Sequence, residues 1–183
     1  MALTSFTALC RLRDAVDRDD AEQLLTDLPD GVHSPFACSD RTHFARLQII
    51  SELRLHVRRP LASPVLVWSC DVDDDAHSYL VELLTVAAGT LAPVLALCAD
   101  APSDPTDADF VARAADYLVA RRMRVGLQYA NSPGHSAHEV RQAVIRRRRL
   151  AGFALAHQDD SPAVRRTAFL DAFAQADELE RRR

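Results

Sequence analysis

Residues 63–84 read SPVLVWSCDVDDDAHSYLVELL, and the fold turns on whether the acids in the middle form a cation loop or a strand-to-helix turn. Asp71, Asp73, Asp75 and Glu82 fall at the first, third, fifth and twelfth positions of an EF-hand loop. Ala76, however, stands where that loop needs glycine, and Val65–Cys70 is an apolar run of β-branched and aromatic residues where an entering helix belongs. Leu80, Leu83, Leu84 and Ala87 already have the spacing of one helical face. The stretch therefore predicts a central strand, a turn whose acids cap and charge a helix start, and a helix over 74–88 stopped by Gly89.

Working outward, LTSFTALCRL at 3–12 is rich in β-formers and predicts a first strand, and DRDDAEQLLTDL at 17–28 predicts an amphipathic helix with acids in its first turn. THFARLQII leads into a second strand over 43–51, and HVRRPLASP, with Pro60 and Pro64, reads as a connection. Beyond the central strand and its helix come a helix over 110–121, a fourth strand over 124–130, a long helix over 136–157 and a final helix opened by Ser161 and Pro162. Strand, helix, strand, strand, helix, strand, helix is the ferredoxin-like order. The expected fold class is α+β: a ferredoxin-like four-stranded antiparallel sheet with helices on one face, plus additional C-terminal helices. Residues 1–160 form the domain in this reading, and 161–183 a helical extension packed on it.

Composition narrows the chemistry. The chain has 183 residues, a formal charge of -4 and a pI near 5.9, which argues against a nucleic-acid surface, since neutralising phosphates takes a clustered basic excess. All 22 basic residues are Arg. Without Lys there is no amine for a pyridoxal phosphate or aldolase imine and none for a phosphate-binding P-loop. The Arg- and Ala-heavy usage points to a GC-rich, actinobacterial-type genome. Cys10, Cys38, Cys70 and Cys98 include no C-x-x-C pair, so they read as free thiols of a reduced, cytoplasmic protein, and no leader or membrane-spanning run is evident.

The candidate site residues come from the second strand. Period-two alternation places His43 and Arg46 on opposite faces, so they form no local pair unless the strand bulges or one lies at its open end. His43 is the candidate acid or base of a small-molecule pocket, with Arg46 steadying developing negative charge. Tyr129 is a further polar contact, Phe44 and Trp68 apolar walls, and Arg147, which falls inside the apolar stripe of the long helix, a contact for an anionic group. No resident metal is expected. Haem is a further candidate, with His43, His77, His135, His138 and His157 as available ligands and Arg side chains for the propionates. A non-catalytic interaction module is the rival reading.

HSPFACSDRTHFARLQII, SPVLVWSCDVDDDAHSYLVELL, LALCADAP and YANSPGHSAHEVRQ together resemble a bacterial family of unsettled function. Its pattern is a His-Phe-Ala-Arg strand, an apolar strand ending near an Asp, a Tyr-Leu helix, a Cys before a Pro, and a Tyr-x-x-x-Pro-Gly turn into a helix. The resemblance implies a ferredoxin-like fold that dimerises into an α+β barrel, in a group that includes haem peroxidases, chlorite-dismutase-like proteins and cofactor-free monooxygenases. It picks out His43, Arg46, Asp71, Cys98 and Tyr129, and it implies a homodimer. The pocket residues themselves point to a small organic ligand and, for an enzyme, to cofactor-free cyclisation, isomerisation or oxidation. The chain departs from the pattern at Cys70 and Val72, where Asn and Gly are expected around the Asp.

Overall fold

The computed structural model describes residues 3–54, 58–124, 126 and 134–180. Among them β1 (Leu3–Arg11), β2 (Thr42–Arg54) and β3 (Arg58–Asp73) form an antiparallel sheet in the order β1-β3-β2. Five α-helices accompany it: α1 (Arg18–Thr26), α2 (Ala76–Ala96), α3 (Phe110–Ala120), α4 (Ala137–Ala156) and α5 (Pro162–Glu180). The fold class is mixed α+β, as expected from the sequence. Contacts divide the chain into two compact units, Met1–His138 and Glu139–Arg183.

The first unit is built on one face of the sheet. Alternate residues of β1 (Phe6, Ala8, Cys10) and β3 (Leu66, Trp68, Cys70, Val72) point into the core, joined by Ala45, Leu47 and Ile49 of β2. Tyr79, Leu80, Leu83 and Leu84 of α2 and Phe110, Ala114 and Leu118 of α3 close over them. At about 1.5–3 kcal/mol per fully buried large apolar side chain, this layer dominates the stability of the unit. The opposite face is polar at one end, where Thr7, Ser69 and Arg46 form one cross-strand row and Ser5, Asp71 and Phe44 the next. Thr7 and Ser69 share a 2.6 Å hydrogen bond, Ser5 donates to Asp71, and Phe44 is 50% exposed.

Two expectations about the central stretch are corrected. Gly89 does not stop α2, which runs on to Ala96 with a single non-helical residue at Ala87 (φ -105, ψ 17) and with Pro93 inside it. A mid-helix glycine costs about 1 kcal/mol, whereas burying Leu91, Val94 and Leu95 returns about 1.5–3 kcal/mol each, so burial wins. HVRRPLASP is not simply a connection, because β3 begins at Arg58 and pairs there with the end of β2. Pro60 is tolerated since pairing with β1 starts only at Val65, and Pro64 uses only its carbonyl, which accepts from Leu12 N at 2.9 Å. Ala76–Ala96 is long and apolar enough to cross a membrane, yet half of its most apolar window is buried, as a core helix requires.

The expected fourth strand, 124–130, lies largely outside the described residues. Just before it, Arg122 forms an antiparallel bridge with Ala8, framed by hydrogen bonds from Leu9 N to Arg121 O (3.2 Å) and from Met123 N to Thr7 O (2.7 Å).

The second unit is a helical hairpin. Phe153 of α4 meets Phe169 and Phe173 of α5 edge to face, with ring centroids 5.5 and 5.8 Å apart. Arg165 closes the turn by donating to the carbonyls of His157, Gln158 and Asp160 at the C-terminal end of α4, at 2.8–3.0 Å.

Candidate functional site

β2 enters the sheet irregularly. Thr42 pairs with Val72 and Phe44 with Asp71, so two steps along β2 match one along β3 and His43 is the extra residue of a β-bulge. The bulge breaks strict alternation and sets His43 over the end of β3. There its Nε2–H donates to Oδ1 of Asp73 at 2.9 Å, and the two side chains are 18% and 5% exposed. A carboxylate oxygen facing Nε2 selects the tautomer with the proton on that nitrogen, leaving the Nδ1 lone pair of the neutral ring for another partner. The other carboxylate oxygen, Oδ2, accepts the backbone N–H of Ala137 at 2.9 Å, in the first turn of α4.

Asp73 is itself held firmly. Its N–H bonds to Arg41 O (3.0 Å), and the Arg41 guanidinium returns to the Asp73 carbonyl from Nε (3.2 Å) and Nη2 (2.8 Å). The same guanidinium reaches Asp75 O, Ser78 Oγ and Glu82 Oε2, and Ser39 Oγ donates to Glu82 Oε1 at 2.7 Å. Next to this brace, Thr42 Oγ1 and Tyr79 OH are 3.0 Å apart, and burial pushes the Tyr79 phenol well above its ordinary value, so it stays protonated. Asp74 turns the chain out of β3 at φ 61, a left-handed conformation that Asp tolerates better than most residues, and Asp75 caps α2 by accepting from Ser78 N at 2.7 Å. That bond holds the Asp75 carboxyl below its usual range. Of the acids expected to cap α2, Asp75 does so, whereas Asp73 binds His43 and Ala137 N and Asp74 makes the turn. Among the described residues no group of three or more His, Cys, Asp or Glu could hold a metal ion.

The other expected site residues do not converge on His43. Arg46 lies on the open face of the sheet beside Ser69, and Phe44 on the same face. Trp68 is fully buried in the core layer, edge-on to Phe36 at 5.7 Å, so it is a core residue rather than a pocket wall. Its Nε1 is buried without a hydrogen-bond partner. Tyr129 is outside the described residues, and Arg147 is exposed on the hairpin unit. Of the remaining histidines, His77 pairs with Asp116 (3.0 Å), His138 with Asp40 (3.5 Å) and His157 with Asp160 (2.6 Å). An open groove of about 330 Å³ belongs to the hairpin and is lined by Phe153, Pro162, Arg165, Arg166 and Phe169.

Sequence reasoning selected His43 but missed its carboxylate and the brace. By sequence Asp73 is one of several acids placed to cap a helix, and nothing in the pattern singles out Arg41. The available signal was the Ser-Asp-Arg-Thr run ahead of the strand, polar residues crowded where a bulge can form. No protein family, curated protein or solved structure matches the chain.

Proposed function

We propose that the His43–Asp73 pair is a general acid–base site acting on a small organic molecule, and that the protein is a ligand-binding, cofactor-free enzyme of the α+β type. The observation that carries this is a partly open imidazole oriented by a buried, braced carboxylate. In that arrangement Nδ1 takes a proton from a C–H or O–H of the bound molecule and the Asp73 carboxylate stabilises the imidazolium. The carbanion or alkoxide so formed cyclises, is reprotonated at another atom in an isomerisation, or passes its electrons to dioxygen as the oxidant. Arg46 is too far along the other face to share that step and belongs to a separate polar surface. The Ala8–Arg122 bridge supports a fourth strand beside β1, giving the order 4-1-3-2 of a ferredoxin-like sheet.

A second reading is favoured by the hydrogen bond from Ala137 N. Asp73 also closes the start of α4, so the His43–Asp73–Ala137 chain serves as a structural clamp. The two readings part in one experiment: native mass spectrometry of the purified protein to find a retained small molecule, repeated on His43→Gln and Asp73→Asn. The enzymatic reading expects a retained ligand, turnover abolished in His43→Gln, and a fold unchanged by that substitution. Loss of helicity without any ligand in the parent protein identifies the clamp.

A further inference from the structure

We propose that the α4–α5 hairpin is the surface through which two copies of this chain associate, side by side as a four-helix arrangement. Val140, Ala143, Arg147, Leu150 and Ala154 of α4 follow one another at alternating spacings of three and four, the signature of a helix-packing seam. Ala163, Thr167 and Leu170 of α5 do the same, and the spacing continues in the sequence to Ala174 and Asp177. At about 100° per residue both rows lie roughly a quarter-turn from the Phe153 and Phe169 rings that face each other between the helices. The rotation has the same sense in both helices, and because they run antiparallel the two rows fall on the same side of the hairpin. Leu150 is 49% and Leu170 55% exposed there. Ala143 and Ala154 on α4 and Ala163 on α5 are exposed along the same rows, and their small side chains leave room for a second leucine row.

Size and charge name the occupant. Two helices of about twenty residues offer a side face of about 30 by 20 Å, so two such faces bury on the order of 1,200 Å², at the lower end of specific interfaces. α4 is basic, with Arg141 and Arg146–Arg149 against Glu139, and the later part of α5 is acidic in sequence, with Asp171, Asp177, Glu178 and Glu180. A two-fold pairing that lays α4 of one copy over α5 of the other brings unlike charges together, while α4 over α4 sets Arg against Arg. Arg147 stands inside the apolar row and makes no ion pair among the described residues, so an acid from the second copy answers it.

The experiment is sedimentation equilibrium of the full chain across the micromolar range. The parent protein is expected at twice its 20.2 kDa, and the double variant Leu150→Glu, Leu170→Glu at 20.2 kDa with the near-ultraviolet signal of the buried Trp68 unchanged. Phe44→Asp, on the open sheet face, is expected to leave the dimer intact. A parent protein that stays monomeric overturns the proposal. So does a dimer that survives the leucine changes or is lost with Phe44→Asp.

Discussion

At the scale of single residues, the molecule rests on a few polar groups placed where burial makes them matter. Asp73 is the clearest: with Ala137 N–H and His43 both donating to it, Asp73→Ala leaves a buried donor and an imidazole unanswered. It is expected to cost about 2–4 kcal/mol in urea unfolding. His43→Gln keeps a donor toward the carboxylate and is expected to cost less than half as much. Equal losses in the two would remove the distinction between orienting group and oriented ring. The thiols divide just as sharply. Burial, with the Asp71 charge adding to it, pushes the Cys70 thiol up to about 12, and Cys10 and Cys98 are closed in the core, whereas Cys38 is exposed. Alkylation of the native protein at neutral pH should stop at one label, on Cys38, and reach four only in denaturant. His43 could be selected from sequence because its residue type is rare in a strand. Its partner could not, because the bulge that brings the ring over Asp73 violates the alternation used to read the strand.

At the scale of elements, local patterning and packing mostly agree, and each disagreement has a measurable size. The first strand, the helix after it and α3 lie within a residue or two of their expected bounds because their apolar periodicity and the Asp17 cap of α1 are local. The extension of α2 past Gly89 was illegible because it depends on the sheet beneath Leu91 and Leu95, which no local window contains. Asp75 illustrates the local kind. Its carboxylate caps α2, so Asp75→Ala is expected to cost about 1 kcal/mol at neutral pH. Since the folded-state pKa is depressed, this contribution is present above the unfolded carboxylate value and is lost as pH falls through the folded one. Unfolding curves of parent and variant should therefore converge in acid. A gap that stays constant down to the lowest pH would mean the cap acts through something other than its charge.

At the scale of the whole molecule, the sequence carried the α+β class and the helical C-terminal region, since these follow from hydrophobic period and order of elements. It did not carry the convergence of site residues. Arg46, Phe44, Trp68 and Arg147 each satisfied a rule for binding groups, but only the register of the sheet decides that Trp68 faces the core and Arg46 the open side. Arg147 is the instructive case, read from sequence as a charge within an apolar stripe and found exposed on the hairpin. If that stripe meets a second copy, the guanidinium and the acid that answers it are desolvated together on association, and an apolar replacement of Arg147 alone strands the acid. Removing one partner of a buried ion pair costs about 3–5 kcal/mol, because the other charge is left buried and unanswered. Arg147→Met should therefore weaken the dimer on the order of a hundred-fold or more in sedimentation equilibrium, each 1.4 kcal/mol being ten-fold. Arg148→Met, one position around the helix and outside the row, should leave the association constant within about two-fold, as expected for an exposed charge. Equal effects from the two substitutions would place the contact elsewhere on the hairpin.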